Sequence, residues 1–276
     1  MRKEVEMSAT STLDRLYQEI KKFKRVVVAY SGGVDSTLLL KLSLDCLGQP
    51  NVLAVMVSSS LIPEPEVEEA VETAAKLGAN LRVIRVDPLR IENISRNQPD
   101  RCFFCKEYIF GMITDLAVCE GYEAVMEGSN LSDTGDYRPG MKAIRGIDSV
   151  RSPYIKCGVT KMEIRTLARA LLLENWNKPS QACLASRIPY GTRLTADNLA
   201  KVAAAEQRLK QMGIDQVRVR YHGDLARIEV SPEELPAVLN QTALKRIAEA
   251  VKTCGFAYVT LDLEGYRPGS LNEVLR

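Results

Sequence analysis

From residue 26 to about residue 155, short apolar runs alternate with stretches of helical periodicity. Residues 26–30 and 52–57 are continuously apolar, the pattern of strands covered on both faces. Residues 81–86 and 124–126 read as two more strands. Between them, Thr37, Leu38, Leu39, Leu40 and Leu42 follow one helical pattern, residues 66–77 follow a second that Gly78 stops, and residues 106–119 a third. Thr160-Lys161-Met162-Glu163 is a capping box and starts a helix to about residue 173. Repeated strand–helix units with short connections predict an α/β fold built on a doubly wound parallel sheet. Ligands of such sheets bind at the carboxyl ends of the strands.

After Gly191 the order changes. Residues 199–212 are helical, and 216–221 and 226–230 are short strands joined by the hairpin signal His222-Gly223-Asp224. Ser231-Pro232-Glu233-Glu234 combines a capping serine, a proline at the first helical position and a glutamate at the third, with Val230 and Leu235 as a hydrophobic staple. It predicts one helix to about Lys252, followed by a strand at 257–261. The expected division is residues 1–192, the sheet domain, and 193–276, a smaller C-terminal α+β domain.

Residues 31–36, Ser-Gly-Gly-Val-Asp-Ser, join the first strand to the first helix. Glycines let the backbone come close to a ligand, and the first-turn N–H groups of a helix have no intrahelical partners. The dipole adds positive potential, so a phosphate or pyrophosphate fits there. Ser31, Ser36 and Thr37 add hydroxyl donors, and Asp35 is suited to holding Mg²⁺ or positioning a reacting group. No Gly-Lys-Ser/Thr follows, so this is not the Walker-type loop.

Composition narrows the class. The chain is 46% apolar and 26% charged, with a net charge of +2 that gives no electrostatic case for broad nucleic-acid binding. No run approaches the roughly 18 apolar residues of a membrane span. MRKEVEMSAT carries charge with no apolar segment behind it, so a cytoplasmic protein is expected. Seven cysteines, an odd number in such a chain, argue against a disulfide framework. His222 is the single histidine, so a metal site would rest mainly on thiolates. Cys102 and Cys105, just before a helix, have metal-ligand spacing, and Cys183 lies in a loop of small and polar residues. Three thiolates without histidine suit an iron–sulfur cluster with one open iron; structural zinc with a fourth ligand and a redox pair are the alternatives. Cys46, Cys119 and Cys254 read as buried, inert thiols; Cys157 stays unassigned.

The 31–36 hexapeptide resembles the signature of the PP-loop ATP pyrophosphatases, which adenylylate a substrate oxygen, release pyrophosphate and let a nucleophile displace AMP. Three further segments narrow the resemblance: 133–140 with Ala143; Trp176-Asn177-Lys178-Pro179 leading to Cys183, Ser186-Arg187 and Pro189-Tyr190-Gly191; and 217–222 with Arg227-Ile228-Glu229. In the same order along nearly the whole chain, they resemble the LarE family of ATP-dependent sulfur transferases. That family converts carboxylates of pyridinium-3,5-biscarboxylic acid mononucleotide to thiocarboxylates for a nickel-pincer cofactor that serves enzymes such as lactate racemase.

The resemblance implies roles. ATP and Mg²⁺ would be held by Ser31, Gly32, Gly33, Val34, Asp35 and Ser36, and AMP by backbone near Ser58 and from Gly128 to Asn130. Substrate phosphate and carboxylates would meet Arg187, Arg218, Arg220 and Arg267, with Glu206 and Glu229 orienting them or the pyridinium; Arg218 and Arg220 share a strand face. Asp35 and Cys183 are the catalytic candidates. Family members use either a sacrificial cysteine or a [4Fe-4S] cluster carrying an additional sulfide. Cys102, Cys105 and Cys183 point to the cluster form, with an unknown sulfide donor. A homo-oligomer, a hexamer by resemblance, with a small nucleotide substrate is implied. A tRNA 2-thiolation enzyme and a non-enzymatic AMP- or metal-binding protein are the rival readings. Tyr-Arg-Pro-Gly occurs at 137–140 and 266–269, either as a pair of anion-binding turns or as ordinary Pro-Gly turns, and the differing flanks argue against a repeat.

Overall fold

The computed structural model describes residues 2–135, 139–179, 182–267 and 269–275. Asp136, Tyr137 and Arg138 of the 133–140 segment, Ser180 and Gln181 before Cys183, and Pro268 of the second Tyr-Arg-Pro-Gly lie outside the described residues. The chain forms two compact units. The first comprises Met1–Ser59, Glu64–Val86 and Cys102–Gln181; the second comprises Ser60–Pro63, Asp87–Arg101 and Ala182–Arg276. Two short upstream segments thus join the C-terminal part, where the sequence suggested a single cut near residue 192.

In the first unit, Val26–Ala29 (β1), Val52–Ser58 (β2), Asn80–Arg85 (β3), Ala124–Met126 (β4) and Val150–Arg151 (β5) form one sheet in the order β3-β2-β1-β4-β5. Every pairing is parallel. β2 is buried along its whole length, as its unbroken apolar run requires. β5, too short to leave a periodic signal, is the strand the sequence did not reveal. Val27, Leu53, Val55, Val57 and Val125 pack with Phe110, Ile113 and Ala117 of the helix Arg101–Cys119. The helix Val34–Leu47 carries fully buried Leu38, Leu39, Leu40 and Leu42, each contributing about 1.5–3 kcal/mol relative to exposure. Ser43 on that helix donates to the Met126 sulfur at 3.9 Å, which places the helix over β4.

The capping box at Thr160 forms as the sequence predicts. Thr160 Oγ1 accepts from Glu163 N (3.3 Å), and Glu163 Oε2 accepts from Thr160 N (2.8 Å), opening the helix Lys161–Ala170. The cysteine pair does not precede its helix: Cys102 and Cys105 lie within the first two turns of Arg101–Cys119. Cys119, expected to be buried, is exposed at the end of that helix, and Cys46 and Cys254 are half-buried.

In the second unit, Val217–His222 (β6) and Leu225–Val230 (β7) form the expected antiparallel hairpin, and Tyr258–Leu261 (β8) adds parallel to β7. The helix Ala196–Gln211 packs on β6 through Leu199, Val202, Ala205 and Leu209. The single helix expected to reach Lys252 is two, Leu235–Val238 and Gln241–Lys252. Asn240 is extended, and its side chain accepts from Ala243 N at 2.9 Å. An asparagine that caps a new helix ends the one before it. Among the described residues, no helix is long and apolar enough to cross a membrane.

Candidate active site

Strand order reverses at β1: β2 and β3 lie to one side, β4 and β5 to the other. The loops leaving β1 and β4 therefore meet at a topological switch point, the usual ligand crevice of such sheets. The 31–36 loop leaves β1. Ser36 Oγ accepts from Ser31 N (3.1 Å), donates to Gly33 O (3.1 Å) and lies 3.1 Å from Ser31 Oγ, which folds the loop onto its helix. Gly33 occupies the N-cap position with no side-chain cap, so the first-turn N–H groups are not claimed by a capping side chain. Gly32 has φ +73°, and an added Cβ would overlap the Ala70 methyl. Only glycine satisfies both constraints. From β4, Gly128 comes so close that a Cβ there would lie 3.2 Å from Asp35 Cβ and Ser36 N.

Asp35 faces Lys161, whose Nζ lies 2.7 and 2.6 Å from the two carboxylate oxygens. Burial pushes the Asp35 carboxyl above the ordinary carboxylate range against the pull of Lys161, and the Asp133 charge adds to the rise. The two Asp35 oxygens, beside the mouth of the loop, are of the ligand type that Mg²⁺ takes. The buried Tyr154 hydroxyl donates to Asp35 O (2.9 Å), fixing the backbone beneath it.

The β4 loop is equally ordered. Glu127 is buried and accepts from Ser129 N (2.9 Å), Ser129 Oγ (2.6 Å) and Ser152 Oγ. Asn130 N donates to Asp133 Oδ2 (3.0 Å), and Ser132 Oγ accepts from Lys161 N (3.1 Å). The 127–133 segment thereby connects to the residue that holds Asp35. Ser58, at the end of β2, is buried, and its carbonyl accepts from Val86 N (3.0 Å).

Cys102 and Cys105 are half-buried and one helical turn apart, hence on one face. Cys183 belongs to the second unit, half-buried at the start of the turn Leu184–Arg187. Its carbonyl accepts from Ser186 N (2.9 Å) and Ser186 Oγ (2.9 Å). Among the described residues, no three histidine, cysteine, aspartate or glutamate side chains are gathered as a metal site. The donor set itself, three thiols with no histidine, suits iron–sulfur ligation.

The second unit pairs the expected arginines and glutamates. Arg187, 1% exposed, makes a two-point bridge to Glu206 (Nε–Oε1 2.8 Å, Nη2–Oε2 3.0 Å) and donates from Nη1 to Ala182 O (2.6 Å), Cys183 O (3.2 Å) and Ser186 Oγ (2.9 Å). Glu206 also accepts from Val219 N (3.0 Å). Arg220 makes the same bridge to Glu229 (2.9 and 2.6 Å) and donates to Ser186 O (2.8 Å). Arg218 is buried over the Tyr266 ring, 5.3 Å from its centroid; burial and then the Arg187 charge lower its pKa. Arg267 is half-buried and pairs with Glu264 (2.5 Å) and Glu273 (3.3 Å).

Four residues escaped the sequence reading. Lys161 counted only as part of a capping box, yet a cation at the first helical position opposes the helix dipole and signals a nearby anion. Tyr154 and Asn175 left no signal. Asn97 sits fully buried at φ +55° and donates from Nδ2 to Ile188 O (3.2 Å), Pro189 O (2.9 Å) and Thr192 O (3.1 Å), anchoring the stretch that follows Arg187.

The NAD synthase family description matches residues 8–103, which include the 31–36 loop. The chain is 42% identical over 260 residues to the pyridinium-3,5-bisthiocarboxylic acid mononucleotide synthase of Lactiplantibacillus plantarum, covering 94% of this chain and 93% of that protein. It is 41% identical over 265 residues to an uncharacterized protein of Synechocystis sp., covering 96% and 98%. An NH(3)-dependent NAD(+) synthetase of Hyperthermus butylicus is 43% identical over 74 residues, covering 26% of this chain and 27% of that protein. The synthetase likeness is confined to part of the chain, whereas the first two run over nearly the whole of it. With that full-length match and the loop at the switch point of its parallel sheet, the chain belongs to the family of the pyridinium-3,5-bisthiocarboxylic acid mononucleotide synthase, the LarE branch of the PP-loop ATP pyrophosphatases.

Proposed function

We propose that this protein is an ATP-dependent sulfur transferase that converts the carboxylates of pyridinium-3,5-biscarboxylic acid mononucleotide to thiocarboxylates. The observation that carries this reading is the Asp35–Lys161 pair beside the uncapped 31–36 loop, in a chain similar over nearly its whole length to a named synthase of that product. In the first step a substrate carboxylate oxygen attacks the α-phosphorus of ATP, and the bond to pyrophosphate breaks. The N–H groups of the 31–36 loop and the Ser31 and Ser36 hydroxyls receive the leaving charge. Asp35 would hold Mg²⁺, which supplies charge neutralisation to the phosphates; Lys161, released from Asp35, then meets phosphate oxygens. In the second step sulfide adds to the acyl carbon, the acyl–oxygen bond breaks, and AMP leaves with its electron pair. The backbone near Ser58 and from Gly128 to Asn130 borders the AMP position.

In this reading Cys102, Cys105 and Cys183 hold a [4Fe-4S] cluster, which when bound supplies the sulfide. Arg218, buried over the Tyr266 ring on the strand that also carries Arg220, is the cation assigned to a substrate anion. Arg187 and Arg220, bridged to Glu206 and Glu229, shape the walls around it, and Arg267 stands at the periphery. The protein acts as a cytoplasmic homo-oligomer, a hexamer by likeness to its family, in the supply of a nickel-pincer nucleotide.

The test is anaerobic incubation with Mg-ATP, sulfide and the biscarboxylated mononucleotide, followed by mass spectrometry of both product and protein. The reading requires a product with oxygen replaced by sulfur and an unchanged protein mass. A protein lighter by one H₂S would make Cys183 a sacrificial donor. No thiocarboxylate in any form would refute the transferase reading.

A further inference from the structure

Asn175 lies beyond the helix Lys161–Ala170 and is 8% exposed. Its Nδ2 donates to the Gly32 carbonyl (3.1 Å) and to Thr37 Oγ1 (2.9 Å). Its Oδ1 has no hydrogen-bond partner among the described residues. The orientation of the amide follows from chemistry: the Gly32 oxygen can only accept, so the amino group must face it. A buried acceptor left unpaired destabilises the fold. An apolar side chain would fill the space without that cost, so what the position retains is the pair of donors.

Both donors act on the 31–36 loop. In a trans peptide the carbonyl and the N–H point in opposite directions. A Gly32 carbonyl held toward Asn175 therefore turns the Gly33 N–H to the other side, where it faces Ser31 Oγ at 3.5 Å. Glycine stands on both sides of this peptide, and glycines let it rotate at little steric cost. Rotation would aim a carbonyl dipole at the anion site. The second bond, to Thr37, ties the same amide to the buried helix that follows.

We infer that Asn175 is a positioning residue for pyrophosphate: its amino group locks the Gly32–Gly33 peptide with the N–H toward the anion and the carbonyl away from it. The inference rests on the pyrophosphate role of the loop given above. It is tested by calorimetric titration of Mg-pyrophosphate into the full-length protein and its Asn175→Ala and Asn175→Asp variants. Loss of the donors in Asn175→Ala weakens binding about tenfold, and a carboxylate facing the Gly32 oxygen weakens it about 100-fold at neutral pH. As pH falls, the Asn175→Asp variant regains affinity, because a protonated carboxyl donates again; the native protein lacks this acid limb. A purely structural role would not produce it.

Variants that bind within about twofold of the native protein, or an aspartate variant without the acid limb, would overturn the inference alone. A native protein that does not bind pyrophosphate would overturn the loop reading and the inference with it. If Asn175→Asp does not fold, Asn175→Ser replaces it, with a shorter donor and an affinity expected between native and alanine. Native-like affinity in both the serine and alanine variants would then refute the proposal.

Discussion

Replacing Arg187 with lysine keeps the charge and removes the fork. The native guanidinium spans both Glu206 oxygens and still reaches the Ala182 and Cys183 carbonyls and the Ser186 hydroxyl. A lysine ammonium carries its donors on one atom and cannot satisfy both sides. Disrupting a buried pair costs about 3–5 kcal/mol, and a retained cation near Glu206 places this substitution near the lower end, about 3 kcal/mol. The pair is 1% and 5% exposed, so water does not screen the loss. The cost should localise to the 182–188 turn and to β6, where Val219 N donates to Glu206. Hydrogen exchange read by mass spectrometry is the assay. Peptides over 182–188 and 217–220 should exchange roughly 150-fold faster, while a peptide over β2 is unchanged. Protection within about threefold of native would mean that the fork does not hold the turn. If substrate affinity fell at the same time, the Arg187 fork would belong to the substrate rather than to Glu206.

The remaining predictions concern the loop and the thiols. Gly32→Ala should lower stability by about 2–4 kcal/mol, from a side chain at φ +73° and overlap with the Ala70 methyl, read as a lower melting temperature with lost pyrophosphate release. Asp35→Asn should abolish pyrophosphate release yet raise the melting temperature at neutral pH. Burial lifts the Asp35 pKa above its ordinary 3.8, so its favourable contribution is complete below that value and disappears as pH rises through the folded-state pKa. The gain should therefore shrink as pH falls toward 3.8, and a variant that melts lower than native at neutral pH would contradict this sign. Lys161, 27% exposed, reaches water once its partner is gone. Anaerobically purified protein should carry about four irons per chain, and Cys183→Ala should lose most of them; stoichiometric zinc instead would remove the cluster from the account.

Much of the first unit was legible because its physics is local. The unbroken apolar run of β2, the Thr160–Glu163 box and the two-glycine turn each express one rule over a few adjacent residues. The glutamate partners of the arginines also emerged, through the family likeness rather than periodicity. What stayed hidden depends on distant pairs. Lys161 lies far along the chain from Asp35, and Asn175 far from Gly32, so no spacing could join them. Asn240 shows how a local signal misleads: the capping chemistry at Ser231 is plain in the sequence, yet Asn240 ends that stretch and caps a new helix. The cysteine pair was placed before its helix although Asp100, a residue type favoured at helix N-caps, stands immediately ahead of Arg101.

The central claim is that the 31–36 loop expels pyrophosphate as a small pyridinium nucleotide is activated. The most direct measurement is anaerobic pyrophosphate release from Mg-ATP with sulfide present, comparing the biscarboxylated pyridinium mononucleotide with bulk tRNA. Release with the mononucleotide, accompanied by a thiocarboxylate product, and none above background with tRNA is the expected result. Release with tRNA alone would contradict it and move the protein to the tRNA thiolases.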